Sequence, residues 1–143
     1  ALSGRGYIWG RTIPLLPKHL LLGSGPDTFI LEFPQNDYVK RYNTSSSMYQ
    51  EIPSKAHNMY LQTAVQTGVL SLICLLLFWG FYLKESICIY WIQKKKDYIG
   101  MACCFSVAGY LMMGVMNDSN LATAPLFWTI LGLGWAVNHC ETV

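Results

Sequence analysis

The chain has 143 residues, of which 52% are hydrophobic, 14% aromatic and only 13% charged. It is more apolar and less charged than an average soluble domain, which predicts an all-α, polytopic membrane protein. The net charge of +2 is too small to argue for nucleic acid, and the basic residues form no stripe interleaved with stacking aromatics.

The chain opens on Ala1 and Ser3-Gly4-Arg5, without an initiator Met, a basic n-region or a secretory cleavage site. It is read as the C-terminal portion of a longer multi-span protein, whose N-terminal helices lie upstream. Residues 1–59 are expected to be an extracytoplasmic loop region with short helices, and residues 60–143 a membrane domain.

Ser3 to Ile13 has helical spacing, with Ile8, Trp9 and Ile13 apolar and Arg5 and Thr12 close by, and Pro14 is expected to stop this short amphipathic helix. Pro17 to Phe33 combines an apolar patch with a Gly23-Ser24-Gly25-Pro26 turn and reads as a loop that dips into the membrane interface. Pro34 to Pro53, rich in Asn, Ser, Tyr and Gln, reads as a surface loop. Its tyrosines Tyr38, Tyr42 and Tyr49 suit either stacking on sugar rings or interfacial anchoring.

Next comes the ionisable cluster Lys55-Ala56-His57-Asn58-Met59-Tyr60, followed by an uncharged run from Ala64 to Leu83. About 20 residues at about 1.5 Å each span the roughly 30 Å of hydrocarbon. His57 is thereby expected about two turns outside the bilayer core. Two shorter spans follow, Tyr98 to Met116 and Leu121 to Val137, with small residues (Gly100, Ala102, Ala108, Gly109, Gly114) that permit close helix approach. Pro125 falls in the first turn of the third span, where its missing donor costs little.

Between the first two spans, Lys84 and Lys94-Lys95-Lys96 stand against Glu85 and Asp97, whereas the opposite connection, Asn117-Asp118-Ser119-Asn120, carries no basic residue. The positive-inside rule makes loop 84–97 cytoplasmic, and residues 1–59 extracytoplasmic. The Ile87–Ile92 stretch is expected at the inner interface. All five cysteines, Cys74, Cys88, Cys103, Cys104 and Cys140, fall in spans or on the inner side, so no disulfide framework is implied. His19, His57 and His139 lack ligand spacing, and no phosphate-cradling loop, nucleophile elbow or zinc motif is present.

What remains is chemistry needing a base, cations and a lipid-anchored substrate at the outer face. A neutral histidine accepts a proton near pH 7 and arginines hold a diphosphate through paired hydrogen bonds. His57 is the candidate base on an acceptor hydroxyl, with Arg5 and Arg11 the candidate cations for a leaving diphosphate. The bland alternatives are a helix-start or headgroup contact for His57 and solvated or lipid-phosphate contacts for the arginines.

His57-Asn58, nine residues, Gly68, two residues and Ser71 resembles the motif of the O-antigen ligase family: His, then Asn, Ser or Gln, nine residues, Gly, two residues, then Gly, Thr or Tyr. Ser71 departs from that last position. Upstream, Ser3-Gly4-Arg5 with Ile8-Trp9, then Leu22 to Phe29, is similar to the family's Arg-containing helix and its GxGxxxF loop. Downstream, Asn117-Asp118-Ser119 and Pro125-Leu126-Phe127-Trp128, with Gly132, is similar to its closing segment.

The resemblance implies a GT-C-like membrane fold and a metal-independent, inverting transfer of a glycan from an undecaprenyl-diphosphate-linked donor. The acceptor is a hydroxyl on a glycan, lipid or protein at the outer face of the cell membrane, and no cofactor is implied. In that role His57 is the base, Arg5 holds the diphosphate, Arg11 is a second cation and Asn58 a ligand or helix-start support for His57. The alternatives are a polysaccharide polymerase of the same family, and a non-catalytic subunit or transporter of a polysaccharide export system. A transporter would be expected to carry ionisable groups near mid-membrane, which the three predicted spans lack.

Overall fold

In the computed structural model, residues 5–34 and 53–140 are described, and they are helical, with no strand among them. The expected surface loop, with Tyr38, Tyr42 and Tyr49, lies almost wholly outside the described residues. Two compact units divide at residues 73 and 74.

The N-terminal unit begins with α1 (Arg5–Thr12). The α-helix ends two residues before Pro14, as expected, but the chain does not leave helical geometry there. The backbone tightens into a 3-10 helix, Ile13–His19, with Pro14 in its first turn, where the missing N–H is one that has no partner in any case. A turn through Gly23–Pro26 leads to the single helical turn α2 (Phe29–Glu32). After the second described stretch begins at Pro53, α3 (Met59–Thr67) packs with α1, the 3-10 helix and α2. A small core forms from Phe29, Phe33, Ala56 and Val65, with Tyr7, Ile8, Leu16 and Leu61 against it. Phe33 meets Tyr7 edge-on at 6.2 Å between ring centroids and lies 5.5 Å from Phe29. Burial of such side chains contributes about 1.5–3 kcal/mol each, so these few aromatics and aliphatics are the chief source of this unit's stability.

The uncharged run from Ala64 to Leu83 is not one helix. Gly68 has φ +99° and ends α3, and α4 (Val69–Ile87) starts at the next residue. Hydropathy does not register a backbone break of this kind. Beyond α4 the helix continues through a π-helical turn, Cys88–Ile92, so that Val69–Ile92 is long and apolar enough to cross a membrane. It is also mostly exposed: Leu70, Ile73, Leu76, Leu77, Phe78 and Phe81 point outward, unlike the core helix of a soluble domain.

In the C-terminal unit, α5 (Tyr98–Met113) and α6 (Ala124–His139) pack side by side. Tyr110, late in α5, stacks on Phe127, early in α6, at 4.2 Å. A Cβ built on Gly134, late in α6, would approach the Cys103 Cβ, early in α5, to 2.9 Å. The pair therefore runs antiparallel, and a glycine is required where the helices touch. Pro125 lies in the first turn of α6 as expected. Each of these helices has 16 residues, about 24 Å at the α-helical rise against roughly 30 Å of hydrocarbon. Only Val69–Ile92 therefore meets the length for a crossing among the described residues, and the expectation of three spans is not met by helix length alone. At the far end of the unit, the Tyr90 hydroxyl donates to Asn138 Oδ1 at 2.6 Å, and Asn138 Nδ2 donates to Ser86 Oγ at 2.9 Å. These bonds satisfy polar groups that would otherwise be costly among apolar helices. Cys103 and Cys104 are buried filler, and all five thiols are free.

Candidate functional site

His57 occupies the residue immediately before the N-cap of α3. Asn58 is the cap: its Oδ1 accepts the backbone N–H groups of Tyr60 at 2.9 Å and Leu61 at 3.0 Å. Two of the donors that a helix start leaves without partners are thus satisfied, worth about 1 kcal/mol. The Asn58 side chain is buried in making this cap.

The peptide preceding His57 is held from both sides. Ala56 has no exposed surface; its N–H donates to Gln62 Oε1 at 2.8 Å and its carbonyl accepts the Trp9 indole N–H at 3.0 Å. Between this clamp and the Asn58 cap, His57 takes φ +50°, the left-handed region that disfavours side chains with a Cβ. Such a conformation costs about 1–3 kcal/mol and persists only where the surroundings impose it. The result is an exposed imidazole projecting from a fixed backbone. At the second residue of α3, partial burial raises the Tyr60 phenol above its usual range.

Trp9 brings α1 to this segment, and α1 carries both candidate cations. Arg5 precedes Trp9 by four residues, only about 40° round the helix, and so shares the register that meets Ala56. Arg11 is two residues beyond Trp9, about 200° round. Its guanidinium lies over the Tyr7 ring, 6.0 Å from the centroid. Helical register thus puts Arg5 near the Trp9 side of α1 and Arg11 on the side of Tyr7.

The glycine of the His57–Gly68 spacing has a structural reason. The Gly23–Pro26 turn lies against the C-terminal end of α3, where Ser24 N–H donates to the Val65 carbonyl at 2.8 Å and Gly25 N–H to the Gln66 carbonyl at 3.0 Å. A Cβ on Gly68 would stand 2.6 Å from the Leu21 carbonyl oxygen, and one on Gly23 would overlap Gln66 O. The Thr28 hydroxyl closes the turn on Ser24 Oγ and the Gly25 carbonyl, and Phe29 plugs the core. The GxGxxxF loop and the glycine eleven residues after the histidine are therefore two sides of one contact.

Three contributors were not apparent from sequence. Trp9 and Gln62 hold Ala56 from 47 and 6 residues away, and neither bond has a local sequence signal. His19, nearly buried at the end of the 3-10 helix, lies 3.3 Å from Glu32 at the end of α2, tying together the two ends of the segment that carries the glycine turn. Among the described residues no three His, Cys, Asp or Glu side chains come together.

These features define a helical protein in which a cap and a clamp fix the backbone of one outward histidine at the start of α3, and a glycine-mediated loop contact closes the other end of α3 where a long apolar helix begins. The sequence model of the O-antigen ligase family matches residues 1–76, more than half the chain and the stretch holding every residue of this site. The chain belongs to the O-antigen ligase family, whose role lies in O-antigen and polysaccharide biosynthesis. No curated protein and no solved structure matches it.

Proposed function

We propose that the chain carries the acceptor-activating centre of a membrane glycan transferase, moving a glycan from an undecaprenyl-diphosphate-linked donor to an acceptor hydroxyl at the outer face of the cell membrane. The observation that carries this reading is the strained, exposed His57, held by Asn58 on one side and by Trp9 and Gln62 on the other. Strain of this kind concentrates where a side chain has to be presented in one orientation.

The acceptor O–H gives its proton to a ring nitrogen of His57 as its oxygen attacks the anomeric carbon. The bond from that carbon to the diphosphate oxygen breaks on the opposite face, which inverts the centre. Lipid diphosphate leaves with the electron pair, and the proton on His57 passes to solvent or to the diphosphate. Arg5, in register with Trp9, neutralises the leaving diphosphate. Arg11 serves as a more distant cation that draws the donor in.

Val69–Ile92 crosses the bilayer, and α5 and α6 enter it as a packed antiparallel pair. The lysines at 94–96 that follow this helix lie on the cytoplasmic side, and the site lies outside. The exposed apolar surface of Val69–Ile92 supports this placement.

The test is His57→Asn in the full-length protein, because asparagine adopts left-handed backbone readily and leaves the local fold intact. Glycan transfer should fall by about 10²–10⁴-fold, with membrane level and donor-lipid translocation unchanged. Transfer at the normal rate removes His57 as the base.

A further inference from the structure

We propose that Leu20, Leu21 and Leu22 form a wedge that inserts among the acyl chains of the outer leaflet beside the first turn of α4. The proposal rests on the reading of Val69–Ile92 as a membrane span.

Leu21 and Leu22 are 72% and 83% exposed, and Leu20 is 56% exposed. Three consecutive leucines displayed this openly are an unusual surface for water to cover. They do not belong to the neighbouring core, which Leu15, Phe29 and Phe33 fill from the inner side of the same chain segment. Nor can the tip fold back easily. Its backbone is held to α3 by the Ser24 and Gly25 hydrogen bonds and by the close approach of Gly23 to Gln66 and of Gly68 to Leu21.

What covers the tip follows from one hydrogen bond. The Leu70 N–H donates to the Leu20 carbonyl at 3.0 Å. The leucine tip therefore sits against the second residue of α4, whose first turns also expose Leu70 and Ile73. Whatever medium surrounds that helix start surrounds the tip. The residues between Lys18 and Asp27 contain no carboxylate, guanidinium or ammonium, and both of these flanking charges are exposed. An apolar tip bracketed by charges matches a bilayer boundary, with Lys18 extending its ammonium to the phosphate layer. Anchored in this way, the glycine turn and the C-terminal end of α3 have a fixed depth, and the nine-residue α3 sets His57 about 14 Å of helix length away.

The experiment uses the full-length protein in phosphatidylcholine vesicles containing a phosphatidylcholine with a diazirine on its acyl chain. After illumination and proteolysis, lipid adducts should appear on the peptide spanning residues 20–22. In parallel, an environment-sensitive NBD label is placed on Leu21→Cys, Leu77→Cys or Lys55→Cys, with the native cysteines replaced by serine. Emission at position 21 should shift to the blue and lose intensity to chain-borne nitroxides, as at position 77, while position 55 should stay water-like. Chain quenching at 77 but not at 21, with no adduct on residues 20–22, overturns the wedge and leaves the span standing. Absence of quenching at 77 overturns the span and the wedge with it. The adduct measurement needs no substitution, so a misfolded cysteine variant does not leave the question open.

Discussion

The indole N–H of Trp9 donates to the carbonyl of Ala56 at 3.0 Å, joining two residues 47 positions apart in the chain. Through this bond the first helix reads out the position of the peptide that precedes His57. Removing it leaves a wholly buried carbonyl without its donor, at a cost of about 1–3 kcal/mol. Trp9→Phe should therefore lower glycan transfer while leaving the apparent donor affinity close to normal, and Gln62→Leu, which removes the acceptor for the Ala56 N–H, should do the same. Transfer rates measured against donor concentration distinguish this from lost donor binding. A rise in donor KM with unchanged kcat would place Trp9 in the donor site instead.

The cap on α3 should matter for stability in a graded way. Asn58→Ala removes the acceptor for two backbone donors and should cost about 0.5–2 kcal/mol, whereas Asn58→Asp or Asn58→Ser should retain most of the native value. Thermal unfolding in detergent, followed by circular dichroism, reads the order. Equal stability of the alanine and aspartate variants would contradict the capping role.

Glycines in this chain differ sharply in what a methyl group would meet. Gly68→Ala places a Cβ 2.6 Å from Leu21 O on a backbone with φ +99°, and Gly23→Ala collides with Gln66 O. Both should lose several kcal/mol of stability, on the order of 3 or more, and with it the docking of the glycine turn. Gly10→Ala, inside α1 with nothing within 4 Å of its Cβ, should instead stabilise by about 0.5–1 kcal/mol. Expression level and unfolding temperature of the three variants side by side give the comparison.

The two arginines of α1 should separate in their effects. Arg5 lies in the register of Trp9, and Arg11 lies over Tyr7, so Arg5→Ala should reduce kcat/KM for the donor by about 10–100-fold, the range of a charge-assisted contact of 1.5–3 kcal/mol. Arg11→Ala should cost less than about tenfold and lose most of its effect at high salt, as befits a distant charge. Comparable losses for both would mean that the donor diphosphate wraps around the helix.

Much of this site can be read from single positions. Asn58 before a helix, Pro125 in a first turn and the buried pair Cys103-Cys104 follow from local propensity and size, and the family motif picks out His57 and Gly68 before any coordinates. What escapes such reading is nonlocal or conformational. The apolar run across Gly68 looks continuous because hydropathy is blind to backbone dihedrals. Pro14 marks where the α-helix of α1 stops, but that the chain goes on as a 3-10 helix is not written in the proline. The grip of Trp9 and Gln62 on Ala56, and the meeting of His19 with Glu32, arise only when distant segments share a core.

Phe33 and Ala56 belong to the same small core, and Ala56 is the residue directly before His57. The backbone of the histidine is thereby coupled to aromatic packing: a substitution that loosens Phe33 also loosens the peptide that sets φ at His57. Selection on the orientation of one imidazole would therefore act on a phenylalanine 24 positions earlier in the chain.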